Sequence, residues 1–234
     1  NIRYSKGFLE VYSLAQIVLP DNIPEFGVAP RLKYPDQFAV ATRFVEGGKN
    51  IRKVAKDPEK VMQYKNVRLV GSIIGFDDLK SDNVLVGGDD NLKVIDGINP
   101  FVLGRERRGF VALMNRNFQF ETRPIKLTFG DLKVLKEEMA SSLEEMENHF
   151  EKVREFNTDG ETYESYVKSN IDELNSFVAL IEKQGTTDNH CISKKDIRRY
   201  NNRSRDIPQR PAEKIMNKSV EPLLMDEMSL NTIR

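Results

Sequence analysis

The 234-residue chain has no tryptophan, one cysteine and two histidines. A single thiol, Cys191, excludes an intrachain disulfide and any zinc site built on paired cysteines, and it fits a reducing compartment. With only His149 and His190, a histidine metal cluster is excluded as well. An excess of either charge is also missing. Lys plus Arg and Asp plus Glu both number 36, so net charge names no partner. No apolar run approaches the ~20 residues of a membrane-spanning helix. No secretory leader is legible, so cytosolic residence is expected. The chain opens on Asn1 rather than Met.

The composition that is present, 39% hydrophobic and 31% charged, allows a real core beneath a heavily solvated surface, in one large domain or two small ones. Residues 1–127 alternate short apolar runs with Gly, Pro and Asp-Asn clusters, the pattern of mixed strands and helices. Over 128–184, Leu132, Leu135, Met139, Leu143, Met146, Phe150 and Val153 recur at steps of three and four. That stripe predicts one amphipathic helix, ended by Asn157-Thr-Asp-Gly160. A second helix carries Tyr163, Tyr166, Val167, Ile171, Leu174, Phe177, Val178 and Ile181, and the two are expected to form an antiparallel hairpin. His149 is expected at the surface. Cys191, with no His-plus-acid arrangement beside it, reads as an unactivated thiol.

The segment richest in chemistry runs from Val70 to Gly97. Asn83-Val-Leu-Val86 and Leu92-Lys-Val-Ile95 predict two short strands, joined by Gly87-Gly-Asp-Asp-Asn91, whose residues tolerate positive φ. A hairpin brings its ends together, so Asn83 and Asp96 are expected side by side at its mouth. Asp78 lies on the loop leading in. Two carboxylates and an amide converging this way are hard oxygen donors, suited to Mg²⁺ that completes its shell with phosphate and water.

These residues carry a family resemblance. Asp78-Leu-Lys-Ser-Asp-Asn83 resembles the D-L-K-x-x-N catalytic loop of protein kinases, and Asp96-Gly97 resembles the metal-binding D-F-G. Upstream, Phe38-Ala-Val-Ala-Thr-Arg-Phe-Val-Glu-Gly-Gly48 is similar to a kinase fifth strand and hinge, and Lys6–Leu19 reads as the helix before it. The resemblance covers about residues 6–100. It implies an α+β, two-lobed kinase-like fold with a reduced or incomplete N-terminal lobe: partial lobe and hinge over 1–48, helical lobe over 49–184, basic extension over 185–234. It implies Asp78 as catalytic base, Lys80 steadying the phosphoryl group, and Asn83 and Asp96 holding Mg²⁺ or Mn²⁺. It also implies Thr42 as gatekeeper, the backbone of Arg43 and Val45 at the adenine, and Glu10 as the helix carboxylate that pairs with a strand lysine. ATP is the implied cosubstrate and a protein Ser/Thr hydroxyl the implied acceptor. A lipid or small-molecule alcohol, or a pseudokinase that only binds, are the alternatives.

The pattern departs from the family in places. Phe76-Asp77 stands where the family has His-Arg, Gly97-Ile98 where it has Phe-Gly, and no A-P-E-like signature follows. No glycine-rich loop or strand lysine precedes Glu10. Those strands either lie before Asn1 or are absent from a pared-down kinase. Kinase logic within unfamiliar flanks resembles secreted bacterial effector kinases such as those of Legionella, which would place the protein in a host cell, cytosolic or membrane-peripheral.

A basic run, Lys194, Lys195, Arg198, Arg199, Arg203 and Arg205, continues to Arg210 and Lys214 with only Asp196, Asp206 and Glu213 opposing it. It reads either as a solvated helix face or as a site for a polyanion such as an inositol polyphosphate or an anionic lipid headgroup. Nucleic acid ranks lowest, because no aromatic platform accompanies the run.

Overall fold

The computed structural model describes residues 2–31, 34–42, 45–46, 48–51, 57–97, 108–119, 125–155 and 160–205. Of 2–9, 28–31, 34–42, 119, 153–155, 160–162 and 204–205 it describes the backbone alone. The architecture is α+β, mostly helical, with small antiparallel sheets. Helix α1 (Ile2–Val18) leads into an antiparallel pair, β1 (Phe26–Arg31) and β2 (Tyr34–Thr42), with Phe26 opposite Thr42. A short strand β3 (Lys49–Asn50) precedes helix α2 (Pro58–Ile74). Then come a 3-10 turn (Ser81–Asn83) and the hairpin β4 (Val84–Val86) and β5 (Leu92–Val94), where β3 adds to β4. Helices α3 (Phe110–Gln119), α4 (Phe129–Ser141), α5 (Leu143–Glu155), α6 (Gly160–Glu182) and α7 (Lys194–Arg205) complete the order.

Helix α2 is the centre. Asp57 caps it by accepting the Glu59 amide at 2.9 Å, with Pro58 in the first turn where its missing N–H costs nothing. Gly75 ends it at φ 95, a conformation that favours glycine. From Val67 to Ile74 every residue is buried, because α1, α3, α4, α6 and β5 all pack on it. Over that stretch the helix has no solvated side, and its polar members must find partners inside. Buried Lys60 meets Asp90 at 2.7 Å, tying α2 to the β4–β5 turn, where Asp90 sits at φ 63.

One hydrophobic cluster runs from Val11 and Leu14 on α1, through Ile73, Phe76 and Val84, to Phe177 and Ile181 on α6. Ile192, Ile197 and Tyr200 pack against its edge. Helix α1 therefore shares its core with the helices that follow. No helix among the described residues is long and apolar enough to cross a membrane.

The long helix expected over 132–153 is two. Ser142, at φ −89 and ψ −2, interrupts it between α4 and α5. Leu143, which the stripe places inward, is exposed, while Met139 and Met146 on either side are buried. His149 is half-buried rather than at the surface, with Nε2 3.1 Å from the Ser13 hydroxyl of α1.

Candidate functional site

The loop between α2 and β4 is held from beneath by side chains that other helices send to its backbone. On α6, Asn170 donates to the Ile73 carbonyl at 2.7 Å and the Tyr163 hydroxyl to Ile74 at 2.9 Å. These are last-turn carbonyls of α2, which have no partner within their own helix. Asn117 of α3 donates to the Phe76 carbonyl at 3.1 Å and to the Ser72 hydroxyl at 2.9 Å. Tyr64, within α2 itself, donates to the Leu79 carbonyl at 3.2 Å. The loop that follows starts from a fixed point.

On that base the polar cluster assembles. Asn83 is buried at 7% exposure and donates through Nδ2 to the Asp78 carbonyl at 2.8 Å and to Asp78 Oδ2 at 3.1 Å. Only the amide nitrogen can donate to two oxygens, which fixes the amide's orientation and turns Oδ1 to the opposite side. Lys80 Nζ meets the same Asp78 oxygen at 3.1 Å, its side chain about half exposed (51%) against 25% for Asp78. Both contacts use Oδ2, so among the described residues Asp78 Oδ1 accepts no hydrogen bond.

The hairpin closes the circle. The Ile95 amide donates to the Asn83 carbonyl at 2.9 Å, and the next residue is Asp96. The Gly97 carbonyl accepts from both the Asp77 and Asp78 amides at 3.1 Å. Asp96 is exposed, yet its carboxyl is raised above the ordinary range, first by partial burial and then by the charge of Asp78, with Lys80 opposing. The charge of Asp78 reaching this carboxyl puts Asp96 in its electrostatic neighbourhood. The Tyr12 hydroxyl of α1 accepts the Gly97 amide at 3.3 Å; burial raises its phenol, the Gly97 bond opposes this, and Asp96 adds a further rise.

Asp78, Lys80, Asn83 and Asp96 thus stand together. Upstream, Val45 is half-buried, and the carbonyls of Val45 and Glu46 pass close to Gly48 and Gly88. Strand β3 pairs Lys49 with Val86 and Asn50 with Leu85, and Asn50 Nδ2 donates to Asp82 at 3.1 Å. The segment that resembles a hinge therefore precedes the strand that adds to the β4–β5 hairpin. Thr42 ends β2, Arg43 lies outside the described residues, and Glu10 is buried on α1 at 3% exposure.

The basic run forms α7. Lys194, Lys195, Arg198 and Arg203 are exposed, and Arg199 donates to Gln184. At about 100° per residue they share roughly half the helix circumference, opposite Asp196, Ile197 and Tyr200, which face the core. The Arg205 side chain, Arg210 and Lys214 lie outside the described residues. His190, Ser193 and Asp196 at the start of this helix look like a hydrolytic trio but are a cap. The Ser193 hydroxyl donates to Asp196 Oδ2 at 2.6 Å, and His190 contacts the same oxygen at 3.2 Å. Burial pushes the Asp196 carboxyl up, but these bonds outweigh it and leave it below the ordinary range.

A cavity of about 250 Å³, lined by Met114, Phe118, Ile125, Leu127, Cys191 and Ile197 among others, shares no residue with the Asp78 cluster. Chemistry, not concavity, singles that cluster out. Sequence reasoning missed Asn117, Asn170 and the hydroxyl of Tyr12. The legible signal is a polar group on an apolar stripe: Asn117 falls in register with Phe110 and Met114. Comparison with protein-family models, curated proteins and solved structures finds no match to this chain.

Proposed function

We propose that the protein is an atypical, kinase-like phosphotransferase that moves the γ-phosphoryl group of ATP to a hydroxyl, with a protein Ser/Thr side chain favoured as acceptor. The observation that carries this reading is the Asp78–Asn83 arrangement: a half-buried carboxylate pinned through Oδ2, with Oδ1 left without a hydrogen bond among the described residues, beside a second carboxylate on a fixed hairpin.

A divalent cation fits the donor set. Among the described residues no group of three His, Cys, Asp or Glu side chains is gathered to hold a metal ion. Mg²⁺ does not need one, because it takes one or two protein oxygens and completes its shell with phosphate and water. Asn83 Oδ1 and the Asp96 carboxylate would supply those oxygens; burial and then the charge of Asp78 raise the Asp96 carboxyl, and a cation would oppose both. Held by these two residues, the ion would supply charge neutralisation at the phosphates.

Asp78 Oδ1 accepts the proton of the attacking hydroxyl, and the bonds to Oδ2 keep the carboxylate from rotating away. Lys80, ion-paired to Asp78 and half exposed, has the reach and charge to steady the transferred group's oxygens. The loop's rigid base contributes orientation, the larger share of catalysis where little covalent chemistry is asked of the protein. Thr42, Arg43 and Val45 would meet the adenine, and Glu10 would order the phosphate-anchoring lysine.

The exposed arc of α7 favours a second element, a polyanion such as an inositol polyphosphate or an anionic lipid headgroup bound there as activator or membrane tether. A cytosolic protein, including an effector working inside a host cell, would meet such ligands. Thermal stabilisation by ATP with Mg²⁺ tests nucleotide binding directly. The wild type is expected to gain several degrees and Asp96→Ala to gain none. Equal response by both, or by neither, would remove the metal role of Asp96.

A further inference from the structure

We infer that Tyr12 is a positioning residue that seats Asp96 beside the Asp78–Asn83 loop, so that the metal-binding pair of Asn83 and Asp96 is complete only while α1 is docked. This rests on the proposed metal role of Asp96.

Among the described residues the Asp96 carboxylate takes no hydrogen bond, so its place is set by its backbone neighbours. On one side Ile95 is fixed to Asn83 at 2.9 Å. On the other, Gly97 is gripped at both polar atoms. Its carbonyl takes the Asp77 and Asp78 amides, and its amide goes to the Tyr12 hydroxyl at 3.3 Å. The first two bonds are local to the loop. Tyr12 alone of these partners comes from another part of the chain, 85 residues away.

The hydroxyl is delivered by a ring that packing holds still. Tyr12 is buried, edge-to-face with Phe26 at 6.0 Å and tilted against Phe76 at 5.6 Å. Phe76 and Val94 fill the space beside Gly97. A Cβ at that position would lie 2.9 Å from Val94 Cγ1 and 3.1 Å from the Phe76 ring. No side chain fits there, so the contact is made to backbone. A phenol buried this deeply needs a hydrogen-bond partner, and the Gly97 amide provides one. Helix α1 also packs on β2, α5 and α2, so displacement of α1 at any of these contacts withdraws the hydroxyl.

Tyr12→Phe keeps the ring and removes the oxygen. Hydrogen exchange at the Gly97 amide in the nucleotide-free protein should accelerate about 2- to 10-fold, the worth of one neutral hydrogen bond. In ATP-dependent label transfer, the Mg²⁺ concentration for half-maximal rate should rise by a similar factor, more than the rate at saturating Mg²⁺ falls. Phe177→Leu, a core change on α6 remote from the contact, should lower the melting temperature and leave the Mg²⁺ requirement unmoved. Unchanged Gly97 exchange in Tyr12→Phe, or a Mg²⁺ requirement that shifts equally in Phe177→Leu, would overturn the inference. Absence of transfer by the wild type would instead sink the phosphotransferase reading, while the exchange comparison still decides whether Tyr12 holds Gly97.

Discussion

Residues 76–97 and helix α7 both concentrate charge, and they hold it differently. In the first, Asp78, Asn83 and Gly97 are each fixed by two or more hydrogen bonds, and the carbonyls beneath them are taken by Asn117, Tyr163 and Asn170 from distant helices. In the second, Lys194, Lys195, Arg198 and Arg203 stand exposed on a helix anchored by Ile197, Tyr200 and the buried cap of Asp196. Tyr200 meets Phe177 edge-to-face at 5.3 Å. Directed bonds give one geometry, which phosphoryl transfer requires. Long side chains on a solvated arc attract an anion without fixing its pose, which suits recruitment.

The largest effect expected from breaking this contrast is at the cluster itself. Asp78→Asn should lower the transfer rate by about 10²–10⁴-fold, with a melting temperature close to the wild type because the side chain is near the surface. Next is the base of the loop. Asn117→Ala strands the buried Phe76 carbonyl and should cost about 1–3 kcal/mol in urea unfolding, with a loss of activity that changes at α7 do not produce. Gly97→Ala forces a methyl group against Val94 and Phe76, and should cost about 1–3 kcal/mol as overpacking.

A smaller effect depends on pH and lies on α5, outside both regions. Burial first, then the charge of Lys152, holds the His149 imidazole below its ordinary value of 6.5. The folded protein thus favours the neutral ring. Its contribution is fully present above about pH 6.5 and is lost as pH falls through the lower folded value. Urea midpoints at pH 7.5 and 5.5 should differ more in the wild type than in His149→Gln. The smallest effect sharpens the other side. Lys194→Glu with Arg198→Glu and Arg203→Glu should move stability by no more than about 0.5 kcal/mol and leave basal transfer unchanged. It should abolish salt-sensitive binding of inositol hexakisphosphate, measured by titration calorimetry.

The hairpin was legible because its signals are local. Gly87-Gly-Asp-Asp-Asn91 dictates a turn, and a turn of that length brings Asn83 to Ile95. Helix α1, the span of α4 and α5, helix α6 and helix α7 were legible in whole or part from periodicity and composition; helix α2 was not. The break at Ser142 was not, because the apolar stripe continues in register through Leu143 although the helix does not. What stayed hidden were contacts between residues far apart in sequence: Asn117 with Phe76 at a separation of 41, Tyr163 with Ile74 at 89, Asn170 with Ile73 at 97. A single sequence shows that Asn117 is a polar residue on an apolar stripe. It does not show which carbonyl that residue reaches. Gly97 stands where the resemblance leads one to expect Phe, and Val94 and the Phe76 ring leave no room for a Cβ there.

Transfer of label from γ-labelled ATP with Mg²⁺, alone and with inositol hexakisphosphate, tests the central claim most directly when the wild type is run beside Asp78→Ala/Asp96→Ala. The account predicts label on protein with the wild type and none with the double variant. Label carried equally by both, or by neither under either condition, would contradict it.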